Sequence, residues 1–416
     1  MEDEAGPRSC QLTASIAYPE RVRVIGLMSG TSADAVDAAL VEWPDGPGVR
    51  PHRLLAYVEL PLSRELRERI HGLGTGEAGP PDPLRELVSL DVELADCFAQ
   101  AAARVAAEAG LDLRDVDAVA SHGQTLAHHP EVGGSLQVGD PSRIAERTGC
   151  LTVADFRARD LALGGEGAPL APFFHHALFT HPEQARVVLN LGGIANLTWL
   201  PPAAQPEQVV AFDVGPANAL IDAVVALASG GREDMDRDGA RAGRGQADAT
   251  LLAQLMEDDF LARPPPKSTG RERYGRRQAE RLHAAWQEQG GNEDDLLATL
   301  VAFTAAAVAH AIRVHLPAAP PDLCLLVGGG GARNPALLAA LVAALDGAQV
   351  ERFDTAGVPA DAAEAMAFSL MGRNALLGLP NHLPQCTGAR RAGVLGEFVP
   401  GGPGQGFVGR AGLRGG

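Results

Sequence analysis

The chain has 416 residues, 46% of them apolar but only 4% aromatic, and a formal net charge of −17. That length exceeds one ordinary core and implies two domains. The acidic balance excludes nucleic acid or an anionic membrane as the main partner, although a small anion needs only a local cluster of donors.

Residues 1–21 include Glu2, Asp3 and Glu4 and no apolar stretch, so a disordered lead is expected there rather than a signal peptide. A strand is expected over 22–28, then the turn Ser29-Gly-Thr-Ser, a strand over 36–43 and a third over 52–60. Leu84, Leu87, Leu90, Leu94, Cys97 and Phe98 recur at helical spacing and predict a long helix over 84–109. Val116 to Ala120 reads as a strand ending in "SHGQT", 141–147 as a short helix, Leu151 to Ala154 as a strand ending in "DFR", and 170–179 as a helix.

The order then begins again. Val187 to Leu191 is a strand, followed by the turn "GGIAN" and a strand over 197–200. Val209 to Phe212 ends in "DVGPAN" and leads into a helix over 216–228. An insertion over 230–320 holds the loop "RPPPKSTGRERYG" and at least two helices. Its Ala-rich stretch Leu296 to Ala309 is too short to span a membrane and reads as a buried helix. Leu323 to Val327 ends in "GGGGARN" and precedes a helix over 335–345, a short strand over 349–353 and a helix over 361–377. Both halves thus follow β-β-β-α-β-α-β-α, which predicts an α/β protein of two duplicated domains, 22–183 and 184–400, facing across a central cleft. A Gly-rich tail covers 401–416.

Equivalent hairpin turns would meet at that cleft, Gly30-Thr31-Ser32 from one half and Gly192-Gly193 from the other. Glycine lets backbone N–H groups approach and cradle a phosphate, and the hydroxyls add donors. A Gly-rich turn is often only a turn; the matched positions and the adjacent carboxylates favour the functional reading. Asp34 or Asp37 could hold Mg²⁺, directly or through water. Gly328, Gly329 and Gly330 follow a strand and open a helix, a place for a nucleotide to lie against backbone. Cys10, Cys97, Cys150, Cys324 and Cys386 include no CxxC pair, which implies a reducing compartment without structural zinc. His122, His128 and His129 fit no zinc spacing. His175-His176 reads as a helix surface, and Lys267 to Arg271 as a mobile basic loop.

Strand–turn–strand phosphate motifs in two halves, with a late Gly-rich motif, resemble the actin, Hsp70 and hexokinase superfamily, whose domains are ribonuclease H-like. The motifs "GLMSGTSADAVDAAL", "SHGQT", "LQVGD", "DFRARDLALGGEGAPLAP", "NLGGIANLT", "FDVGPAN", "PPKSTGRE", "GGGGARNP" and "EAMAF", in this order over about 22–400, resemble the anhydro-N-acetylmuramic acid kinases. The resemblance implies a cytoplasmic enzyme of cell-wall recycling. It would use ATP and Mg²⁺ to phosphorylate O6 of 1,6-anhydro-N-acetylmuramic acid while water opens the bridge at C1. It also implies no membrane partner and a homodimer.

Residue by residue, the resemblance assigns ATP binding to Gly30, Thr31, Ser32, Ala33, Asp34, Ala35, Val36, Asp37, Gly192, Gly193, Gly328, Gly329 and Gly330. Asp213 becomes the base that takes the water's proton; without the resemblance, a helix N-cap is the plainer reading. Glu364 orients sugar or water. Thr125 and Arg157 contact the sugar, Arg157 suiting the lactyl carboxylate by its bidentate fork; otherwise Arg157 would pair with Asp155 or Asp160. Ala33, Ala35, Val214 and Ala217 depart from the family's usual residues. Two other readings stand beside this one: a kinase of another amino sugar without bridge opening, and a non-catalytic nucleotide-dependent binding protein.

Overall fold

The computed structural model describes residues 21–75, 80–316, 319–320 and 322–402. The expected lead as far as residue 20, Cys10 within it, and the tail beyond Gly402 lie outside the described residues, while Arg21, placed in the lead, opens the first strand.

Two mixed sheets share one topology. The first contains β1 (Arg21–Ser29), β2 (Ala35–Pro44), β3 (Arg53–Pro61), β4 (Ala118–His129), β5 (Gly134–Val138) and β6 (Thr152–Ala154). The second contains β7 (Arg186–Leu191), β8 (Ile194–Leu200), β9 (Val210–Pro216), β10 (Cys324–Gly328) and β11 (Gln349–Arg352). In the first, β1 and β2 and then β2 and β3 pair antiparallel, while β1–β4 and β4–β6 are parallel. In the second, β7–β8 and β8–β9 are antiparallel, and β7–β10 and β10–β11 are parallel. The strand orders 3-2-1-4-6 and 9-8-7-10-11 are therefore the same pattern written twice. A final strand, β12 (Glu397–Val399), returns to pair with β6.

Each sheet buries two faces, and the alternation of residues along the strands divides them. Ile25, Leu27, Val36, Ala38 and Leu40 face outward onto the helix Pro83–Glu108, through Leu90, Leu94 and Phe98. Val187, Leu189 and Leu197 of the second sheet face outward onto the helices Asn218–Ala228, Glu293–His315 and Pro335–Ala344. Helix Glu293–His315 is long and apolar enough to cross a membrane by length and composition, yet it is mostly buried in this outer core.

The inner faces meet across two helices that have changed sides. Val22, Val24, Ala39 and Val41 from the first sheet and Val188 and Leu326 from the second join one central core. Helix Ala363–Leu376 comes from the second half but lies on β1, β2 and β4, whereas helix Ala171–Phe179 comes from the first half and packs against β7 and β8. The boundary expected near residue 183 falls between β6 and β7, but β12 and these two helices cross it. Periodicity also left out the polar helix Arg64–Thr75, the helix Phe156–Ala162 and strand β5. The first two have no long apolar stripe, and β5 is short and half-exposed.

Helix Ala363–Leu376 sits unusually close to its sheet. A Cβ on Gly26 would stand 1.9 Å from the Ala365 carbonyl oxygen and 2.4 Å from the Ser369 backbone nitrogen. Both are backbone atoms that cannot swing aside. We expect Gly26→Ala to lift the helix and cost about 3 kcal/mol or more. Gly72→Ala, with nothing within 4 Å of the new methyl, should be neutral or slightly stabilising. Urea denaturation of the two variants against wild type measures the contrast; equal stability of both would contradict this account of the packing.

Candidate functional site

Between the inner faces lies a cavity of ≈ 520 Å³ whose walls come from both halves. Asp37 enters it from β2, Arg157 from the helix after β6, Gly192 from the turn after β7, and Asp213 from β9. Gly329 and Gly330 follow β10, and Glu364 opens the first turn of helix Ala363–Leu376. Residues far apart in sequence thus converge on one space.

Asp213 is held from outside its own sheet. Its Oδ2 accepts a hydrogen bond from the Thr269 N–H at 2.9 Å and another from the Ser268 hydroxyl at 3.0 Å, while its own N–H donates to the Lys267 carbonyl. Among the described residues, Oδ1 accepts from no protein group. Burial raises the Asp213 pKa, against the pull of those two donors. The capping alternative does not survive: Asp213 lies inside β9, and the next helix is capped by Ala217 without a side-chain bond. The segment around Lys267 is anchored, in contrast to the mobile loop expected. The Lys267 ammonium donates to the carbonyls of Phe260 and Leu261, both at 3.1 Å, and lies 4.8 Å from the Phe260 ring centroid.

Arg157 has no ion pair with Asp155 or Asp160 among the described residues. Its Nε donates to His122 Nε2 at 3.0 Å and its Nη1 to the Gly167 carbonyl at 2.7 Å. Burial lowers its pKa to about 10, while Glu364 and Asp160 pull the other way. Asp160 instead accepts from Thr387, from the Gly167 N–H and from His382, in a buried network that fixes the carbonyl Arg157 uses. The accessible surface of Glu364 faces the cavity; the protein atoms around it and nearby Asp37 raise its pKa, and Arg157 opposes them. Asp37 accepts from the Tyr57 hydroxyl at 2.6 Å. Its pKa is pushed up to about 6, by burial first, with Glu59 and Asp361 adding to it.

Asp34 does not join Asp37. An odd offset along extended chain turns side chains to opposite faces, and Asp34 is exposed and paired with Arg67 at 2.8 Å. Of the two carboxylates expected as alternatives for magnesium, Asp37 lines the cavity and Asp34 does not. Among the described residues, no group of three or more His, Cys, Asp or Glu could hold a metal ion.

The first turn is open to solvent and lies outside the residues that line the cavity. Thr31 and Ser32 are exposed, and no atom lies within 4 Å of where a Cβ on Gly30 would be. Ala33, buried and left-handed at φ 53°, closes the turn by donating to the Gly30 carbonyl. Ala35 and Val36 are buried strand residues, so only their backbone could meet a ligand there. Behind the turn, Gln124 donates to the Gly30 carbonyl at 3.2 Å and accepts from Ser29 at 2.7 Å. "SHGQT" is thus a brace inside a strand rather than the end of one. Thr125 in the same motif accepts from Gln137 and does not line the cavity.

The second turn is a tight two-residue connection, Gly192-Gly193, with the Arg271 guanidinium within 4 Å of a Cβ placed on Gly193. In the third motif the glycines divide. A side chain on Gly328 would strike the Phe353 ring, so Gly328 serves packing. Gly329, at φ +77°, and Gly330 line the cavity and enter a 3₁₀ turn before the helix that Asn334 caps.

Several cavity residues carried no separable signal in the sequence. Phe368 and Met371 look like ordinary core positions, and Arg333 and Asp361, which pair with each other, look like surface charges. His175 was expected on a helix surface; it is buried, bonded to Thr198 at 2.8 Å, and burial brings its pKa down to about 3.

The doubled sheet topology, with strands of both halves lining one cleft, is that of the two-lobed fold to which actin, Hsp70 and hexokinase belong. Within that fold, a family model for anhydro-N-acetylmuramic acid kinase matches residues 22–401. The anhydro-N-acetylmuramic acid kinase of Salinibacter ruber is 42% identical over 405 residues, covering 94% of this chain and 100% of that protein. The one from Xanthomonas campestris is 43% identical over 383 residues, covering 90% and 97%. Likeness to solved structures is weaker: the Rhodospirillum rubrum xylulose kinase has a TM-score of 0.41 at 14% identity, covering 92% of this chain and 95% of that one. The chain belongs to the anhydro-N-acetylmuramic acid kinase family.

The Asp37 carboxyl allows a test without substrate. Its pKa rises from 3.8 to about 6 on folding. A raised carboxyl pKa means the native state holds the proton longer, so this group's contribution to stability falls as pH climbs from about 4 to about 6 and is level above that. Asp37→Asn removes this dependence. Its stability relative to wild type should rise across that window by about 2–3 kcal/mol, at about 1.4 kcal/mol per pH unit. Denaturation series at pH 4 and pH 7 check the difference; a pH-independent offset would count against a buried, protonatable Asp37.

Proposed function

We propose that this chain is an ATP-dependent kinase that phosphorylates O6 of 1,6-anhydro-N-acetylmuramic acid and opens its 1,6-anhydro bond with water. One observation carries the reading: Asp213, Arg157, Glu364 and Asp37 share a single cavity with the glycines Gly192, Gly329 and Gly330. A base, a guanidinium for a carboxylate and open backbone near phosphate-sized turns are what this reaction needs together.

Asp213 takes a proton from the water whose oxygen bonds to C1. The C1–O6 bond breaks with its electron pair on O6, and O6 then bonds to the γ-phosphorus of ATP as ADP leaves. Desolvation raises the base's pKa and so its appetite for the proton. Oδ2 is committed to Ser268 and Thr269, which orients the carboxylate with Oδ1 free for the water. Arg157 holds the sugar's lactyl carboxylate, and Glu364 orients the sugar or the water. The open turns at Gly30–Ser32 and Gly192-Gly193, with Gly329 and Gly330, would line the nucleotide. For Mg²⁺ the donor set fits one role: Asp37 would hold the ion with water, since magnesium at nucleotide sites takes one or two carboxylates plus phosphates. The ion would supply charge neutralisation at the phosphates.

Asp213→Asn keeps shape and hydrogen bonds but cannot take up the proton. We expect kcat to fall by ~10²–10⁴ with fold and ATP binding intact. Phosphate transfer to the anhydro sugar, with circular dichroism alongside, checks this; a variant retaining more than about a tenth of wild-type kcat would remove Asp213 as base.

Arg157→Ala should raise KM for 1,6-anhydro-N-acetylmuramic acid about 30-fold, the worth of one charge-assisted contact. It should leave KM for 1,6-anhydro-N-acetylglucosamine, which lacks the lactyl acid, nearly unchanged. Equal losses on both sugars would take Arg157 out of the carboxylate pocket.

A further inference from the structure

His122 explains how Arg157 is aimed. The imidazole is 4% exposed and cannot be reached from bulk solvent. Arginine only donates, so the 3.0 Å contact from Arg157 Nε requires a lone pair on His122 Nε2. The remaining ring hydrogen is then on Nδ1, which donates to the Gly123 carbonyl at 2.9 Å. The tautomer is therefore fixed by its two partners. The ring is also clamped sideways: its centroid lies 4.7 Å from that of Phe368, which lies 5.6 Å from Phe156, the neighbour of Arg157 in the chain. Burial and the adjacent guanidinium both push the His122 pKa well below its ordinary value, which keeps Nε2 an acceptor.

This arrangement has a consequence for the substrate. A free guanidinium can meet a carboxylate by its Nε edge or by its Nη nitrogens. His122 occupies Nε, and Gly167 takes one hydrogen of Nη1. Nη2 has no protein partner among the described residues.

We propose that His122 is a positioning residue for the sugar subsite: by occupying Arg157 Nε it leaves only the Nη nitrogens to the substrate's carboxylate, and so selects its angle of approach. The proposal rests on the reading of Arg157 as the carboxylate ligand. Among the residues around Arg157, His122 alone contributes a side-chain acceptor directly to the guanidinium, so its loss should act on sugar affinity before it acts on turnover.

The test uses the full-length enzyme and two sugars, 1,6-anhydro-N-acetylmuramic acid and 1,6-anhydro-N-acetylglucosamine. His122→Phe keeps the ring packing and removes the acceptor. His122→Gln keeps an acceptor oxygen within reach of Arg157. We expect His122→Phe to raise KM for the lactyl sugar about tenfold with kcat within about threefold, and to leave KM for the other sugar unchanged. His122→Gln should recover most of the loss. In an Arg157→Ala background, neither His122 substitution should raise KM further, because the two residues act as one unit. Phe and Gln variants equally impaired on both sugars, or losses that multiply with Arg157→Ala, would overturn the proposal and leave His122 as core packing. Should His122→Phe not fold, His122→Leu, which also lacks an acceptor, takes its place with and without Arg157→Ala: a KM increase that persists without Arg157 overturns the proposal. If Arg157→Ala itself affects both sugars equally, the carboxylate reading fails first and this inference falls with it. Normal discrimination by Arg157 with an indifferent His122 would sink only the inference.

Discussion

The close seating of helix Ala363–Leu376 on the first sheet is the constraint on which the cleft depends. Gly26 and Gly372 are the points of approach: a Cβ on Gly372 would stand 2.4 Å from the Ala120 Cβ. Polar groups inside the contact are paired. Trp43 donates to the Ser369 hydroxyl at 2.9 Å, and that hydroxyl donates to the Val24 carbonyl at 2.8 Å. At the far end, the fully buried Arg373 donates to the carbonyls of Pro44, Gly46 and Gly48. A buried guanidinium satisfied by several carbonyls anchors position strongly, because any shift would strand a charge. Helix Ala363–Leu376 therefore has little freedom to slide, and Glu364, Phe368 and Met371 are delivered to the cavity from a rigid rod.

The same helix joins the two lobes. Its residues share a core with Val188 and Leu326 of the second sheet and with Phe353 just beyond it, while helix Ala171–Phe179 makes the reverse crossing. Four carboxylates and two guanidinium groups line the resulting space, and Asp361 and Arg333 among them pair with each other. Desolvation raises the pKa of Asp37, Asp213 and Glu364 alike; Tyr57 opposes it at Asp37, Thr269 and Ser268 at Asp213, and Arg157 at Glu364. A cleft lined this way favours ligands that carry cations or donors to its acids and a carboxylate to Arg157.

Much of this was legible from short-range pattern. The hairpin turns at Gly30 and Gly192, the glycines after β10 and the strand-end carboxylates announce themselves because turn chemistry is written in adjacent residues. The doubled strand order followed from the same punctuation. What stayed hidden depends on contacts that no local period encodes. Nothing in the spacing of Ala363 to Leu376 says which sheet that helix covers. Ser268 reaches Asp213 across 55 residues, and His122 reaches Arg157 across 35. Nor could adjacency in sequence tell Asp34 from Asp37: extended chain turns an odd offset to opposite faces, and only the structure shows which of the two lines the cavity.

The hold of Ser268 and Thr269 on Asp213 ties a proton to a loop. Both donors favour the ionised carboxylate, so by reciprocity ionisation favours the docked loop to the same degree. When Asp213 takes a proton in the proposed reaction, its oxygens become weaker acceptors and the loop loses part of what it was bonded to. Docking of residues 267–269 and the charge on one carboxylate are then a single equilibrium seen from two ends. In the proposed reaction, the chemical step thus weakens the contacts that hold residues 267–269 against the very carboxylate that carries it out.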